Sequence, residues 1–250
     1  MDKLVETGKE RFWNREAWIR DEWVKKNAAK IPGGSRVLDA GAGASKYRPF
    51  FSHCDYRTQD FCQYQGELVK YVQPIDYICD ITRVPLADAT LDVVLCTEVL
   101  EHVADPMAVL REFARLLKPG GRLLLTAPQT SPIHMEPYHY YGGFTEYWYR
   151  HWLPATGFKV DEIAIQAGPG QAAVDFMLSY YMIWREQEQR LRGLRALFSF
   201  CVRMVVKLPL HYLLSWLLPS FDHFFRQPRL SVGLMVAATR VPSAVDLKQS

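Results

Sequence analysis

The sequence predicts an α/β fold, a mostly parallel sheet with helices on both faces, and three observations carry that expectation. Val37-Leu38 is a short apolar run that enters a glycine-spaced turn at Gly41-Ala42-Gly43, the usual start of a strand–turn–helix unit. Leu91-Asp92-Val93-Val94-Leu95-Cys96 is apolar at nearly every position, as an interior parallel strand buried on both faces should be. Between this strand and the next apolar run lies a helical stripe, Val109, Leu110, Phe113, Leu116 and Leu117, so strand and helix periods alternate along the chain.

Taken in order, residues 4–30 read as a helix whose face carries Trp13, Ala17, Trp18 and Val24, with Arg11, Arg15, Arg20, Lys25 and Lys26 on its other sides. It packs on the sheet edge or lies over a ligand as a lid, and Pro32-Gly33-Gly34 ends it. The first strand follows to Asp39, then the glycine turn, then a helix opened by Ser45. Strand, glycine turn and helix N-terminus together hold a nucleotide-like ligand against backbone N–H groups. Lys46 stands where the dinucleotide fingerprint has its third glycine, so that fingerprint is incomplete.

Tyr56–Asp60 reads as a second strand ending in an acid seventeen residues past Gly43, near the place of a ribose-binding carboxylate. Ile75–Asp80 reads as a third strand, again ending in an acid, and Pro85–Asp88 as a turn. Acid-tipped parallel strands line a crevice at their carboxyl ends, where ligands of open α/β sheets bind. After the fourth strand come Thr97–Val103, then Asp105-Pro106 and a helix over Met107–Leu117, stopped by Lys118-Pro119-Gly120-Gly121. Arg122–Ala127 is a fifth strand and Phe158–Ile165 a sixth, and Leu230–Thr239 is the seventh, expected at an antiparallel edge.

Residues 167–229, between the last two strands, form a helical, apolar insertion in one domain spanning 1–250, in which 1–32 is a helical lead and 33–166 with 230–240 the sheet core. Its longest charge-free run, Leu208–Phe221, is fourteen residues with two prolines, shorter than a bilayer span requires. Its Trp, Leu and Arg content suits a helix in the headgroup layer, or a cap on the core or on a second subunit.

A net charge of +3 and the absence of a Lys/Arg block argue against nucleic acid as a partner. Five cysteines, Cys54, Cys62, Cys79, Cys96 and Cys201, form no C-x-x-C pair, and the first twenty residues are charged throughout. The expected setting is cytoplasmic, peripheral on the inner face of a membrane if residues 170–229 bind one, with the thiols reduced and buried.

Five pieces in order, VLDAGAG, Asp60, CDI followed by VPL, LDVVLCTEVLEHVADP, and LLKPGGRLLLTAP, resemble the class I S-adenosylmethionine-dependent methyltransferases, in the small-molecule group called type 11. The resemblance is close over Arg36–Ala127. It implies a Rossmann-like seven-stranded sheet with the last strand antiparallel, and S-adenosyl-L-methionine as cofactor. It also implies that Asp39 and the backbone of Ala40, Gly41 and Gly43 hold the methionine part, and that Asp60 holds the ribose hydroxyls. Asp80 would accept from the adenine amino group with Ile81 packed on the ring, and Thr97 would border the sulfonium. Ser45 departs from relatives that carry a third glycine in the loop.

Methyl transfer needs a positioned nucleophile and, for a hydroxyl, a base. The loop Pro128–Thr145 is dense in His, Glu and Tyr, and His134 is the first choice, with His139 and Glu136 second. The same loop and the apolar insertion point to a hydroxyl on a saccharide or lipid-linked small molecule as acceptor. Glu98, Glu101 and His102 would share one helix face at i, i+3 and i+4, a spacing that suits either a divalent ion or bonds to neighbouring loops, and no metal is assigned. The alternatives are a non-catalytic cofactor-binding or membrane-associated protein on the same fold, and a nicotinamide oxidoreductase. In the latter, Asp80 and Thr97–Val103 have no task.

Overall fold

The computed structural model describes residues 14–71, 73–188, 190–224 and 229–242. The first described helix, α1, is Arg15–Ala28, and the earlier part of the expected helix, Arg11 and Trp13 included, lies outside the described residues. Seven strands follow: β1 Arg36–Ala40, β2 Asp55–Asp60, β3 Tyr77–Ile78, β4 Leu91–Thr97, β5 Leu117–Pro128, β6 Phe158–Ile165 and β7 Gly233–Arg240. They form one sheet in the order β3-β2-β1-β4-β5-β7-β6, with β1, β2, β3, β4 and β5 parallel and β7 antiparallel to β5. The helices α2, Pro106–Leu116, and α3, Glu146–Ala155, are each capped by the residue before them. Asp105 accepts the Ala108 N–H at 3.0 Å and Thr145 that of Trp148 at 3.3 Å.

The core follows the apolar pattern. Val37, Leu38, Val94, Leu95 and Leu123–Leu125 are fully buried, and Val109, Leu110, Phe113 and Leu116 of α2 are buried as their spacing implies. Helix α1 buries Trp23, Val24, Asn27 and Ala28, while Ala17 and Trp18 of the expected face are half-buried. Trp23 and Val24 join Val37, Tyr47, Phe51 and Tyr56 in one apolar cluster, so this part of α1 is core packing. Burying one such large side chain stabilises by about 1.5–3 kcal/mol.

Four expectations are corrected. No α-helix follows the glycine turn: Ser45 has φ 55° and the chain makes only a 3-10 turn, Arg48–Phe51, before β2 begins at Asp55. Ten residues with Pro49 among them leave no room for a helix and its return. The third strand is two residues long instead of six, because Asp76 spends its carboxylate on the Thr58 N–H and hydroxyl, at 2.9 and 2.8 Å, and Pro74 has no N–H to give. Strand β7 is interior rather than at the edge. Six of its eight residues are buried, whereas β6 carries exposed Lys159, Asp161 and Glu162 and makes the edge. Of the five free thiols only Cys96 is buried, and Cys201 is exposed.

The chain forms two compact units, Met1–Ala164 with Gly233–Ser250, and Ile165–Val232. The second unit is helical: α4 Pro169–Glu188, α5 Leu194–Val202, a π-turn Arg203–Lys207, α6 Leu208–Leu217 and a 3-10 turn Leu218–Phe224. Asp222 caps α4 by accepting the N–H groups of Gly170 at 2.6 Å and Gln171 at 3.2 Å. Trp184 donates to the Ser199 hydroxyl at 2.8 Å, and Arg203 pairs with Glu188 at 2.7 Å. The stretch Leu194–Asp222 runs 29 residues and holds an 18-residue window of mean hydropathy 1.5, of which 7% is buried, long and apolar enough to cross a bilayer by length and composition. The fourteen-residue charge-free run understated it, since the helical path continues through Arg203 and Lys207.

Candidate active site

The glycine turn is tied to the tip of β2. Gly41 and Ala42 donate their N–H groups to the Gln59 carbonyl at 2.8 and 2.9 Å, and Gly43 donates to Asp60 at 2.9 Å. These three amides are therefore engaged within the protein. What Gly41 supplies is shape: at φ 73° a Cβ would be strained, and it would collide with the Val99 side chain. Asp60 is buried and also accepts from the Cys62 N–H at 2.9 Å and the Tyr71 hydroxyl at 3.1 Å.

Asp39 lies behind the same turn. It is buried and accepts a short bond from the Tyr56 hydroxyl. Burial pushes its carboxyl up to about 7, the Tyr56 bond opposes this, and the nearby Asp60 adds to it.

A crevice of about 510 Å³ opens where Gly41, Gln59, Phe61, Asp80, Ile81 and Thr82 meet Val99, His102, Tyr138 and Tyr140. Asp80 turns the chain there, accepting the Thr82 N–H at 2.8 Å and hydroxyl at 2.7 Å on one oxygen, Oδ1. Phe61 and Tyr138 meet edge to face at 5.1 Å, so the post-β2 segment and the Pro128–Thr145 loop meet beside the crevice.

Glu98 has φ 55°, and the helix expected from it is a three-residue 3-10 turn, Leu100–His102. Glu98 consequently turns toward α1, while Glu101 and His102 stay adjacent, Oε1 to Nε2 3.6 Å. Glu98 pairs with Arg20 of α1 at 3.3 Å and accepts from Thr126 at 2.7 Å. Glu101 is buried, its Oε2 has no partner, and burial with the Glu98 charge holds its carboxyl well above the usual range. His102 faces the loop, its Nδ1 2.6 Å from the Tyr138 carbonyl.

The Pro128–Thr145 loop is closed at its base by Ser131 to Gly142 and Phe144 to Pro128 backbone bonds, both 2.8 Å. Tyr140 donates its N–H to the Glu101 carbonyl at 2.8 Å and pins the loop onto the post-β4 turn. This brings His134 and His139 to His102, with ring centroids 4.7 Å apart for His102–His134, 5.6 Å for His102–His139 and 4.7 Å for His134–His139. Burial, with the neighbouring imidazoles, lowers His102 to about 4 and lowers His139 as well.

The predicted residues are thus distributed unevenly. Gly41, Asp80 and Ile81 line the crevice. Asp39, Ala40, Gly43 and Asp60 support the turn behind it, and Thr97 ends β4 opposite Thr126 without lining the crevice. His134 and His139 cluster with His102, which does line it, whereas Glu136 is exposed and is not part of the lining. Sequence reasoning missed Gln59, Phe61, Val99 and Tyr138. Only the position of Gln59 and Phe61 beside Asp60 offered a signal.

The comparisons with known proteins agree with this geometry. Residues 38–125 match the sequence profile of a methyltransferase domain. This segment is a methyltransferase domain. The chain is 29% identical over 177 residues to the ubiquinone/menaquinone biosynthesis C-methyltransferase UbiE of Desulfotalea psychrophila, covering 66% of the chain and 65% of that protein. It is 33% identical over 124 residues to the ubiquinone biosynthesis O-methyltransferase of Xanthomonas axonopodis pv. citri, covering 46% and 51%. The chain spans about half to two thirds of the length of these relatives. Among solved structures, a protein described as a sarcosine dimethylglycine methyltransferase from Galdieria sulphuraria superposes with TM-score 0.55 at 16% identity, over 91% of the chain and 88% of its own. The cyclase SpnF superposes with TM-score 0.53 at 14% identity, over 89% and 81%. Such likenesses establish the fold, and the cyclase shows that this fold alone does not fix a reaction.

S-adenosylmethionine is the cofactor that goes with this domain. The crevice beside the glycine turn fits it: its volume lies within the range of small-ligand sites, Ile81 and Phe61 offer apolar faces, and Asp80 Oδ2 has no partner among the described residues.

Proposed function

We propose that the chain transfers a methyl group from S-adenosylmethionine to a hydroxyl oxygen of an apolar, lipid-linked small molecule. The observation that carries the reading is the position of the crevice, between the glycine turn with Asp80 on one hand and the His102 imidazole on the other. When bound, the sulfonium supplies an electrophilic methyl group. The acceptor oxygen would take that methyl group, S-adenosylhomocysteine would be the other product, and the hydroxyl proton would pass to the histidine cluster and on to solvent.

Asp80, through Oδ2, accepts from the adenine amino group while Ile81 covers the ring. Asp39 and Asp60 act by fixing the turn: Asp60 holds Gly43 in place and Asp39 braces Tyr56 beneath it. The imidazoles of His102, His134 and His139 stand where the acceptor hydroxyl is handled, and Phe61 with Tyr138 keeps water from the reacting atoms.

The acceptor class rests on two supports. Relatives include O- and C-methyltransferases of ubiquinone biosynthesis, and the second unit exposes Leu194, Leu197, Phe198 and Trp216 on a stretch of bilayer length. A membrane surface met through residues 170–229 would bring an apolar acceptor and enzyme together. Incubation of the purified chain with isotope-labelled donor and a lipid extract tests the reading. Label appearing in the organic phase as a base-stable methyl ether supports it, and label confined to water-soluble products removes the lipid-linked acceptor.

A further inference from the structure

Two features of the histidine cluster go beyond what handling an acceptor hydroxyl requires. His102 Nδ1 lies 2.6 Å from the Tyr138 carbonyl, and His134 Nδ1 lies 3.0 Å from the Pro132 carbonyl and 3.2 Å from the Ser131 hydroxyl, so a proton on Nδ1 has an acceptor in both rings. A carbonyl only accepts, and that favours in both rings the tautomer whose Nε2 holds a free lone pair. His139 is odder still: both of its ring nitrogens are shielded from solvent, and neither has a hydrogen-bond partner. A buried polar atom without a partner costs about 1–3 kcal/mol, so a cluster of this kind asks for a guest.

One ring nitrogen from each of His102, His134 and His139 can be chosen so that all lie within 4.8 Å of one another. A backbone carbonyl behind the Nδ1–H of His102 and of His134 is the arrangement that orients imidazoles toward a metal. We infer that His102, His134 and His139 bind a divalent transition-metal ion, of the zinc type, at the wall of the crevice. The three neutral nitrogens fill three positions and leave the fourth for water or a substrate oxygen, the pattern of a catalytic rather than a structural centre. Zinc–nitrogen bonds of about 2.0–2.1 Å would bring such nitrogens to roughly 3.3 Å separation, so the three rings must draw together on binding. Glu101 Oε1, 3.6 Å from His102 Nε2, sits beside the site on a buried carboxyl with an unpartnered oxygen.

The inference deepens the proposed reaction and rests on it only for the role of the fourth position. A hydroxyl bound there would ionise near neutral pH, its proton passing to solvent, and the alkoxide or phenolate would then attack the methyl carbon. The ion differs from the one suggested by Glu98, Glu101 and His102, since Glu98 is engaged by Arg20 and Thr126.

The test uses the full chain after treatment with a chelator, titrated with cobalt(II) and zinc(II) separately. Expected are one equivalent of metal bound, a visible cobalt spectrum of four-coordinate nitrogen ligation, and displacement of cobalt by zinc. His139→Gln and His134→Gln should each weaken binding on the order of a hundredfold. Each variant should still bind S-adenosylhomocysteine, which reports an intact crevice. No metal retained by the wild type, or affinity unchanged in both variants, overturns the inference. Loss of S-adenosylhomocysteine binding with metal binding intact would instead count against the methyltransferase reading alone.

Discussion

Gly43 donates its backbone N–H to the Asp60 carboxylate at 2.9 Å. The acid at the tip of β2 is thereby the anchor of the glycine turn, and it also holds the Cys62 N–H and the Tyr71 hydroxyl. Removing it by Asp60→Ala leaves buried donors unpaired and should lower stability by about 1–3 kcal/mol. Affinity for S-adenosylhomocysteine should fall at least about tenfold, roughly 1.4 kcal/mol. Thermal unfolding with calorimetry checks both, and Asp60→Asn, which keeps an acceptor oxygen, should lie between. An alanine variant as stable as the wild type would refute the anchoring role.

Gly41 is needed for its missing side chain. Gly41→Ala introduces strain at φ 73° and a clash with Val99, so ligand affinity and stability should fall together. Adding Val99→Ala relieves the clash but not the strain. The double variant should therefore recover part of the loss, and recovery of all of it would show that backbone conformation is irrelevant at this position.

Asp39 makes stability pH-dependent in an unusual direction. Its folded carboxyl ionises at about 7, above its ordinary 3.8, because burial disfavours the charge. Between these values the folded chain binds the extra proton, so stability falls as pH rises from about 4 through about 7 and the penalty is constant above. Each unit is worth about 1.4 kcal/mol. Asp39→Asn should flatten the profile and be the more stable protein at pH 8. Urea unfolding over this range decides it, and parallel profiles for the two proteins would contradict the assignment.

In the metal-free, chelator-treated chain His102 gives the opposite slope. Its folded value of about 4 lies below the ordinary 6.5, owing first to burial, so the unfolded chain takes up the proton sooner. The stability due to its neutral form is full above 6.5 and is lost as pH falls toward 4. His102→Gln should remove that dependence. A chemical-shift titration of the imidazole placing its midpoint near 6.5 would show the ring to be solvated after all.

The exposed apolar stretch Leu194–Asp222 should carry the chain to lipid. In flotation with anionic vesicles the wild type should rise with the lipid, and Leu197→Ser/Phe198→Ser/Trp216→Ser should remain below. These three side chains are 59%, 73% and 61% exposed, so the change should not disturb the core. Protein that stays at the bottom at low salt excludes a membrane role for this unit.

The sheet was legible because burial and period agree: Leu91–Cys96 and Phe158–Ile165 could only be strands, and the α2 stripe only a helix. The failures have physical causes. A helix after Ser45 was expected from the glycine turn, but chain length and Pro49 forbade it. The place of β7 inside the sheet depends on which strand bears charge, and β6 had declared it through Lys159, Asp161 and Glu162. In the site, Asp80 and Ile81 line the crevice that strand-end logic pointed to, whereas the Asp39 and Asp60 carboxylates accept from Tyr56 and Gly43. The meeting of His102 with His134 and His139 depends on a loop fastened by Tyr140 to Glu101, a contact across 39 residues that no local pattern reports.

The central claim, that the acid-tipped strands and the glycine bend shape a site for an adenosyl sulfonium compound, is tested most directly by calorimetric titration with S-adenosylhomocysteine. The structure predicts a single site with a dissociation constant on the order of micromolar, weakened at least about tenfold by Asp80→Ala. Absence of heat at millimolar ligand, or an Asp80→Ala variant that binds as the wild type does, would contradict it.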